Sequence, residues 1–464
     1  MTKINTQIFR EYDIRGLAEE DLNPEVVRLI GKSFASYLNK EGLLDKGVVV
    51  GRDNRLTSEA YSEALIEALV KSGVKVFDVG LVVSPIYYYA AMKLGANGMM
   101  ITASHNPKEY NGFKVNTVNG SVAGAELQKL LPLIEAEDFV MGEGEVEEVD
   151  ILTDYYAMLK EKITLDRPLK VVIDCGNGTA SLFAEQVLKS WGCEVVPLFC
   201  ESDGNFPNHI ADPVKLENAT DMIAKVAETG ADLGIGFDGD GDRLGVVDEK
   251  GHMIFGDMMM ILFYREILKK NPGMTCLVEV KCSEALYEEC DKLGGKPAFS
   301  KTGHSLIKAR MKEEGSKFAG EMSGHMFFAD EFFGFDDAFY AAGRLLRIVA
   351  AQDKPLSELF ADVPKYVSTP EVRVETTDGD KFKIVEQVVA DFKKDYEVED
   401  IDGARIIFPS GGWGLVRSSN TQPVLVVRAE AKNEDDLAKI KKTLEEKLLT
   451  FDSIKNIDWS GKEG

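Results

Sequence analysis

Three aspartates alternate with glycines in Asp238-Gly-Asp-Gly-Asp-Arg243. Glycine lets a backbone curl tightly, so Asp238, Asp240 and Asp242 can face one point. Three hard oxygen donors at one point repel each other severely without a cation, and Mg²⁺ suits such a set. A calcium EF-hand is the main rival, because Glu249 falls at its twelfth position. The sixth position, however, holds Arg243 where that loop needs glycine, and the flanks over 233–237 and 244–247 alternate as strands do. A solvated acidic turn is the other alternative.

A second polar loop, Thr102-Ala-Ser-His-Asn-Pro107, follows the apolar run 99–101. Ser104 thus sits beyond the carboxyl end of a strand, where α/β proteins place chemistry. Asn106-Pro107 stops the segment from continuing as strand or helix. Taken alone, Ser104 or Asn106 could equally be a turn or helix cap. Of five histidines, His105, His304 and His325 fall in strand-end loops. In Gly320-Glu-Met-Ser-Gly-His325, alternation lets Glu321, Ser323 and His325 face one ligand, a set that suits sugar hydroxyls. Arg417-Ser-Ser-Asn-Thr421 joins a bidentate guanidinium to neutral donors, which suits a phosphate. Read alone, it is also an ordinary loop composition.

Placing these loops requires a repeated order of elements. Strand 48–50, helix 58–72, strand 75–79, helix 85–94 and strand 99–101 lead to Ser104. Strand 171–174, a helix, strand 193–199, helix 218–229 and strand 231–237 lead to Asp238. Strand 277–281, helix 283–293, strand 297–301, helix 305–314 and strand 317–319 lead to Glu321. Gly95, Gly230 and Gly315 precede the third strands as helix stops should. From 369 on the pattern changes to strand 371–375, helix 381–392, strands 404–408, 414–417 and 424–431, and amphipathic helix 434–448. The expected fold is α/β, with three similar mixed-sheet α/β domains over 1–149, 150–255 and 256–367. A smaller α+β domain over 368–464 follows.

At 464 residues, one core is too few. The net charge of -24 argues against a nucleic-acid or anionic-membrane surface. It also requires basic residues to be gathered wherever an anionic substrate binds. The start of the chain has no apolar signal core, and the most apolar helix candidate, 258–263, is too short to span a bilayer. The six cysteines form no C-x-x-C pair and mostly lie in apolar runs, as buried thiols of a reducing, cytoplasmic compartment do.

Taken together, the four loops resemble the signature loops of the α-D-phosphohexomutase superfamily, most closely its bacterial phosphomannomutase/phosphoglucomutase branch. Tyr12-Asp-Ile-Arg15-Gly, Asn111-Gly-Phe-Lys114, Asp203-Gly-Asn-Phe-Pro-Asn208 and Lys301-Thr-Gly-His304 extend the resemblance over the whole chain. It implies four domains around a central active-site cleft. It also implies reversible interconversion of hexose 1-phosphate and hexose 6-phosphate, of mannose and/or glucose, through a phosphoserine at Ser104. Mg²⁺ would be held by Asp238, Asp240, Asp242 and a phosphoserine oxygen. A hexose 1,6-bisphosphate would serve as intermediate and activator. On the same resemblance, His105 and Asn106 shape the nucleophile loop, and Arg243 neutralises developing charge. Arg15, Lys114 and His325 are candidates for proton transfer and electrostatic support. Tyr12, Lys281, His304, Glu321, Ser323 and His325 would contact the substrate, with Arg417, Ser419, Asn420 and Thr421 on its phosphate. The expected partner is a small phosphosugar, with no nucleic acid or membrane, bound by a monomer or weak dimer. Phosphoglucosamine mutase shares the fold, but Gly241 and Met322 favour the hexose branch. A non-catalytic relative would have lost Ser104 or an aspartate.

Overall fold

The strand leading to Ser104, Asn97–Ile101, is buried at every position, as a central parallel strand covered by helices on both faces must be. In the computed structural model, which describes residues 4–419 and 422–461, it pairs in parallel with Val48–Arg52. That strand pairs in parallel on its other side with Val76–Leu81. Tyr110–Thr117 then runs antiparallel to Asn97–Ile101, and Ile14–Leu17 antiparallel to Tyr110–Thr117. Side chains alternate across a strand, so Phe113 and Val115 enter the core while Lys114 takes the other face.

The chain forms two compact units, one of 1–263 with 323–361 and the other of 264–322 with 362–464. Besides the first sheet, the first unit holds a second one built the same way. Lys170–Asp174 lies between Leu233–Phe237 and Glu194–Leu198, parallel to both, and Leu244–Asp248 turns back antiparallel to Leu233–Phe237. In both sheets the third strand of the repeat is therefore neighbour to the first, and the polar loop follows it. Helix Pro24–Lys40, absent from the sequence reading, starts on a cap from Asn23, whose side chain accepts from the Glu25 and Val26 amides. It buries Val27, Ile30, Phe34 and Leu38 in the first core, each contributing about 1.5–3 kcal/mol.

In the second unit, Thr275–Glu279 pairs in parallel with Lys296–Ser300, and Phe318–Gly320 lies against Thr275–Glu279. The order of the repeat is thus kept a third time. Gly95, Gly230 and Gly315 end their helices with φ of +60°, +63° and +67°, the left-handed turn that glycine adopts without strain. The last sheet has Val424–Ala431 between Trp413–Ser418 and Val372–Glu375, antiparallel to both. Helix Glu434–Leu448 buries Leu437, Ile440, Leu444 and Leu448 in the core of this sheet. All six cysteines are free thiols, five buried and Cys200 half-buried. Among the described residues, no helix is long and apolar enough to cross a membrane.

Candidate active site

Ser104 stands in the left-handed region with φ +51°, an unusual place for a residue with a β-carbon. Several groups hold it there. The Thr102 hydroxyl oxygen accepts the Ser104 N–H at 2.8 Å. The Arg55 guanidinium, almost fully buried, donates to the carbonyls of Ser104 at 2.8 Å, Asn106 at 2.6 Å, Pro107 at 2.7 Å and Tyr110 at 3.0 Å. Buried Asp53 balances its charge at 3.1 Å. So fixed, the Ser104 hydroxyl donates to Asp238 Oδ2 at 2.7 Å and lies 3.1 Å from His105 Nδ1.

The aspartate loop is built around this hydroxyl. Asp238 Oδ1 accepts the amides of Asp242 and Arg243, both at 3.0 Å, which leaves Oδ2 for Ser104. A β-carbon at Gly239 would sit 2.4 Å from the Ser104 carbonyl oxygen, so only glycine lets the two loops close. Gly241 has φ +71° and turns the chain so that ligand atoms of Asp238, Asp240 and Asp242 lie within 4.8 Å of one another. All three are fully buried. Ser84 donates to Asp240 Oδ2 at 2.5 Å, whereas Asp240 Oδ1 is buried with no hydrogen-bond partner. Burial, then Asp242 and Asp240, push Asp238 well above the usual carboxylate range. Burial opposes ionisation of Asp242 too, but Lys114, His325 and Arg243 hold it well below that range. A converging buried set with an orphaned oxygen and one carboxylate pushed up by its neighbours could hold a metal ion.

Cations surround the set. Lys114 Nζ bridges Asp240 Oδ2, at 2.6 Å, and Asp242 Oδ2. Burial alone would lower its ammonium, but these carboxylates outweigh burial and raise it. Arg15, on the strand Ile14–Leu17, donates to Asn106 Oδ1 at 2.8 Å and pairs with Asp13. Arg243 Nε approaches His325 Nε2 at 3.4 Å, and that nitrogen lies 3.2 Å from Asp242 Oδ1. Ser323 Oγ is 3.2 Å from His325 Nδ1, and buried Asp336 faces the ring from 4.0 Å. Burial, with Arg243 and Arg15 nearby, holds the His105 imidazole well below its ordinary range. Tyr12 is half-buried just before Ile14–Leu17. A hydroxyl set against buried carboxylates and ringed by fixed cations is equipped for phosphoryl transfer, which needs positioning and charge stabilisation more than covalent chemistry.

The second unit carries the remaining sequence-picked residues. Lys281 pairs with Glu371 at 3.0 Å. Burial disfavours both charges, yet Glu279 and then Glu371 hold Lys281 raised, and Lys281 holds Glu371 down at about 2. Glu321 Oε1 accepts the Gly303 amide at 2.7 Å, and His304 opens the helix that follows. Arg417 Nε donates to Asp402 Oδ2 at 3.0 Å. Ser419 is buried and its Oγ accepts the Gln422 amide at 3.2 Å, while Asn420 and Thr421 lie outside the described residues.

Sequence reading missed Asp53, Arg55, Ser84, Asp336, Glu279, Glu371 and Asp402. Most lack a local pattern, and their roles come largely from partners far along the chain. Only Asp53-Asn-Arg55 carried a signal, since it follows the first strand of the repeat at its carboxyl end.

Comparison with known proteins matches the chain to a family. The models described as phosphoglucomutase/phosphomannomutase, alpha/beta/alpha domains I, II and III, match residues 6–141, 153–251 and 255–366. That for the C-terminal domain matches 371–447. The chain is 45% identical over 448 residues to a phosphomannomutase/phosphoglucomutase of Pseudomonas aeruginosa, covering 96% of each. It is 47% identical over 435 residues to the protein of that description in Pseudomonas syringae pv. tomato, covering 93% of each. A crystal structure of a phosphoglucomutase/phosphomannomutase family protein from Burkholderia thailandensis matches with TM-score 0.92 at 41% identity, over 98% of this chain and 100% of that one.

Proposed function

Since the chain belongs to the phosphoglucomutase/phosphomannomutase family, with three α/β/α domains and a C-terminal domain, we propose that it is an enzyme interconverting the 1- and 6-phosphates of glucose and mannose. The observation that carries this reading is the Ser104 hydroxyl, 2.7 Å from Asp238 inside a buried, cation-ringed aspartate set. Ser104 carries the phosphoryl group. Its Oγ–P bond breaks as a sugar hydroxyl oxygen forms a new bond to phosphorus, giving a 1,6-bisphosphosugar. The other phosphoryl then returns to Ser104. A guanidinium keeps its protons in a protein, and Lys114 is held raised by its carboxylates. His325 is then the group that takes the sugar hydroxyl proton. Lys114, Arg15 and Arg243 hold the transferring group by charge.

Asp238, Asp240 and Asp242 would hold Mg²⁺, together with an oxygen of phosphorylated Ser104; when bound, the ion supplies neutralisation of phosphoryl charge. Glu321 and Ser323 take sugar hydroxyls, and Lys281, His304, Arg417 and Ser419 take the sugar or its remaining phosphate. The reading extends to domains at 1–149, 150–255, 256–367 and 368–464 and to a monomer or weak dimer. Six free thiols fit a reducing cytoplasm.

Peptide mass spectrometry after incubation with glucose 1,6-bisphosphate should place one phosphate on Ser104, and Ser104→Ala should lose both label and turnover. A turning-over Ser104→Ala protein would overturn the reading.

A further inference from the structure

Arg417 meets a carboxylate that has a second task. Its Nε donates to Asp402 Oδ2 at 3.0 Å, and Nη2 comes within 3.5 Å of Oδ1. The same Oδ2 accepts the Thr302 amide at 3.0 Å. One residue on, the Gly303 amide donates to Glu321 Oε1 at 2.7 Å. The Thr302 hydroxyl donates to buried Glu279. Asp402 reaches this position because Gly403 beside it has φ +89°, and a β-carbon there would lie 2.5 Å from the Val416 carbonyl oxygen and 2.7 Å from the Arg417 β-carbon. Glycine therefore lets the turn press onto the strand that carries Arg417.

We propose that Asp402 is a positioning residue that registers two ligand-gripping groups against one carboxylate: the Arg417 guanidinium, and Glu321 through the Thr302-Gly303 amides. The proposal rests on Arg417 and Glu321 being the phosphate and sugar contacts named above. An arginine head on a flexible stem loses side-chain entropy when a ligand fixes it. A carboxylate that fixes the head beforehand removes that penalty from binding. Asp402 also lowers the net charge that Arg417 presents, so the arrangement favours orientation over raw attraction for anions. A bisphosphosugar that presents either end needs its sugar and phosphate contacts at a constant spacing. One carboxylate shared by both groups supplies that spacing.

The test uses the full-length enzyme and the variants Asp402→Ala, Asp402→Asn and Arg417→Ala, with the Asp402→Ala/Arg417→Ala double variant. Steady-state kinetics are measured in both reaction directions, with inorganic phosphate as competitive inhibitor and thermal unfolding alongside. Asp402→Ala should raise KM for glucose 1-phosphate and glucose 6-phosphate about tenfold and raise the phosphate inhibition constant, with kcat nearly kept. Asp402→Asn, which keeps an acceptor oxygen, should recover part of the loss. In the double variant, losing Asp402 should add less to the phosphate inhibition constant than it does alone. An Asp402→Ala protein with unchanged KM, beside an impaired Arg417→Ala, would overturn the proposal and leave the reading of Arg417 as a phosphate contact intact. An unimpaired Arg417→Ala would overturn both. A loss confined to kcat or to thermal stability would make Asp402 merely structural and likewise end the proposal.

Discussion

Replacing Arg55 by methionine removes a group that ties four carbonyls of the Ser104 loop together. The guanidinium makes five contacts, to Asp53 and to the carbonyls of Ser104, Asn106, Pro107 and Tyr110. Asp53 is 1% exposed, and without Arg55 its carboxylate keeps the Ser58 and Thr102 hydroxyls and the residue 55 amide but no balancing charge. Breaking a buried pair by removing one partner costs about 3–5 kcal/mol. The four carbonyls together add about 1 kcal/mol, because water entering the space left can satisfy most of them. Local destabilisation of about 4–6 kcal/mol is expected, close to the whole stability of many domains. A chain of several domains does not unfold in one step, so native-state hydrogen exchange on the segment 97–117 is the appropriate assay. Ser104 phosphorylation should fall in parallel. Arg55→Lys should restore only part, since one ammonium cannot span four carbonyls. Asp53→Asn with Arg55→Met should cost less than the two changes summed, by about 2 kcal/mol. Additive losses, or an exchange change below about 1 kcal/mol, would refute the account of the loop.

Other expectations concern the ion, the protons and the sugar. Chelation should abolish turnover, with recovery on adding Mg²⁺, and Asp240→Asn should weaken Mg²⁺ binding in a calorimetric titration; full turnover in excess chelator would contradict the site. Lys114→Met should bind Mg²⁺ more tightly than the native chain while turning over more slowly, because the ammonium bridging Asp240 and Asp242 competes for the same charge; weaker binding would count against that role. Burial lifts the Asp337 carboxyl to about 7 despite its bonds to the Tyr340 amide and the Tyr155 hydroxyl. The folded chain thus keeps a proton that the unfolded chain sheds. This contribution to stability is complete below about pH 4 and is lost as pH rises towards 7, by up to about 1.4 kcal/mol per unit. Melting temperatures against pH should therefore show a fall that Asp337→Asn lacks. Glucose and mannose phosphates should differ in kcat/KM by no more than about tenfold, and a thousandfold preference would reject a site indifferent to the C2 configuration.

The elements that carry the chemistry were legible because they obey local rules. Helices Lys381–Phe392 and Glu434–Leu448 and strand Val424–Ala431 fall where periodicity put them. The glycine stops at 95, 230 and 315 fixed where each third strand begins. Helix Pro24–Lys40 has equally plain signals in Asn23-Pro24 and its apolar spacing, although it leads into none of the four site loops. Arg55 was not legible in the same way. Its partners Ser104 to Tyr110 lie about fifty residues on, and nothing within Asp53-Asn-Arg55 distinguishes it from a solvated turn. Asp402 and Asp336 are single acids in a chain with 78 of them, so only three-dimensional proximity marks them out.

The span of chain that the Ser104 cluster draws together has a consequence for the protein's synthesis. Ser104 meets Asp238, 134 residues on, and Arg243 meets His325 a further 82 on. On a ribosome adding about 5–20 residues per second, Ser104 emerges roughly 10–45 seconds before that histidine. Throughout this interval the first sheet can fold, while the acidic loop and His325 are missing or unfinished. A growing chain therefore holds a strained serine loop without the aspartates and histidine gathered around it in the folded protein. On the proposed function, the order of translation withholds activity until His325 has been made.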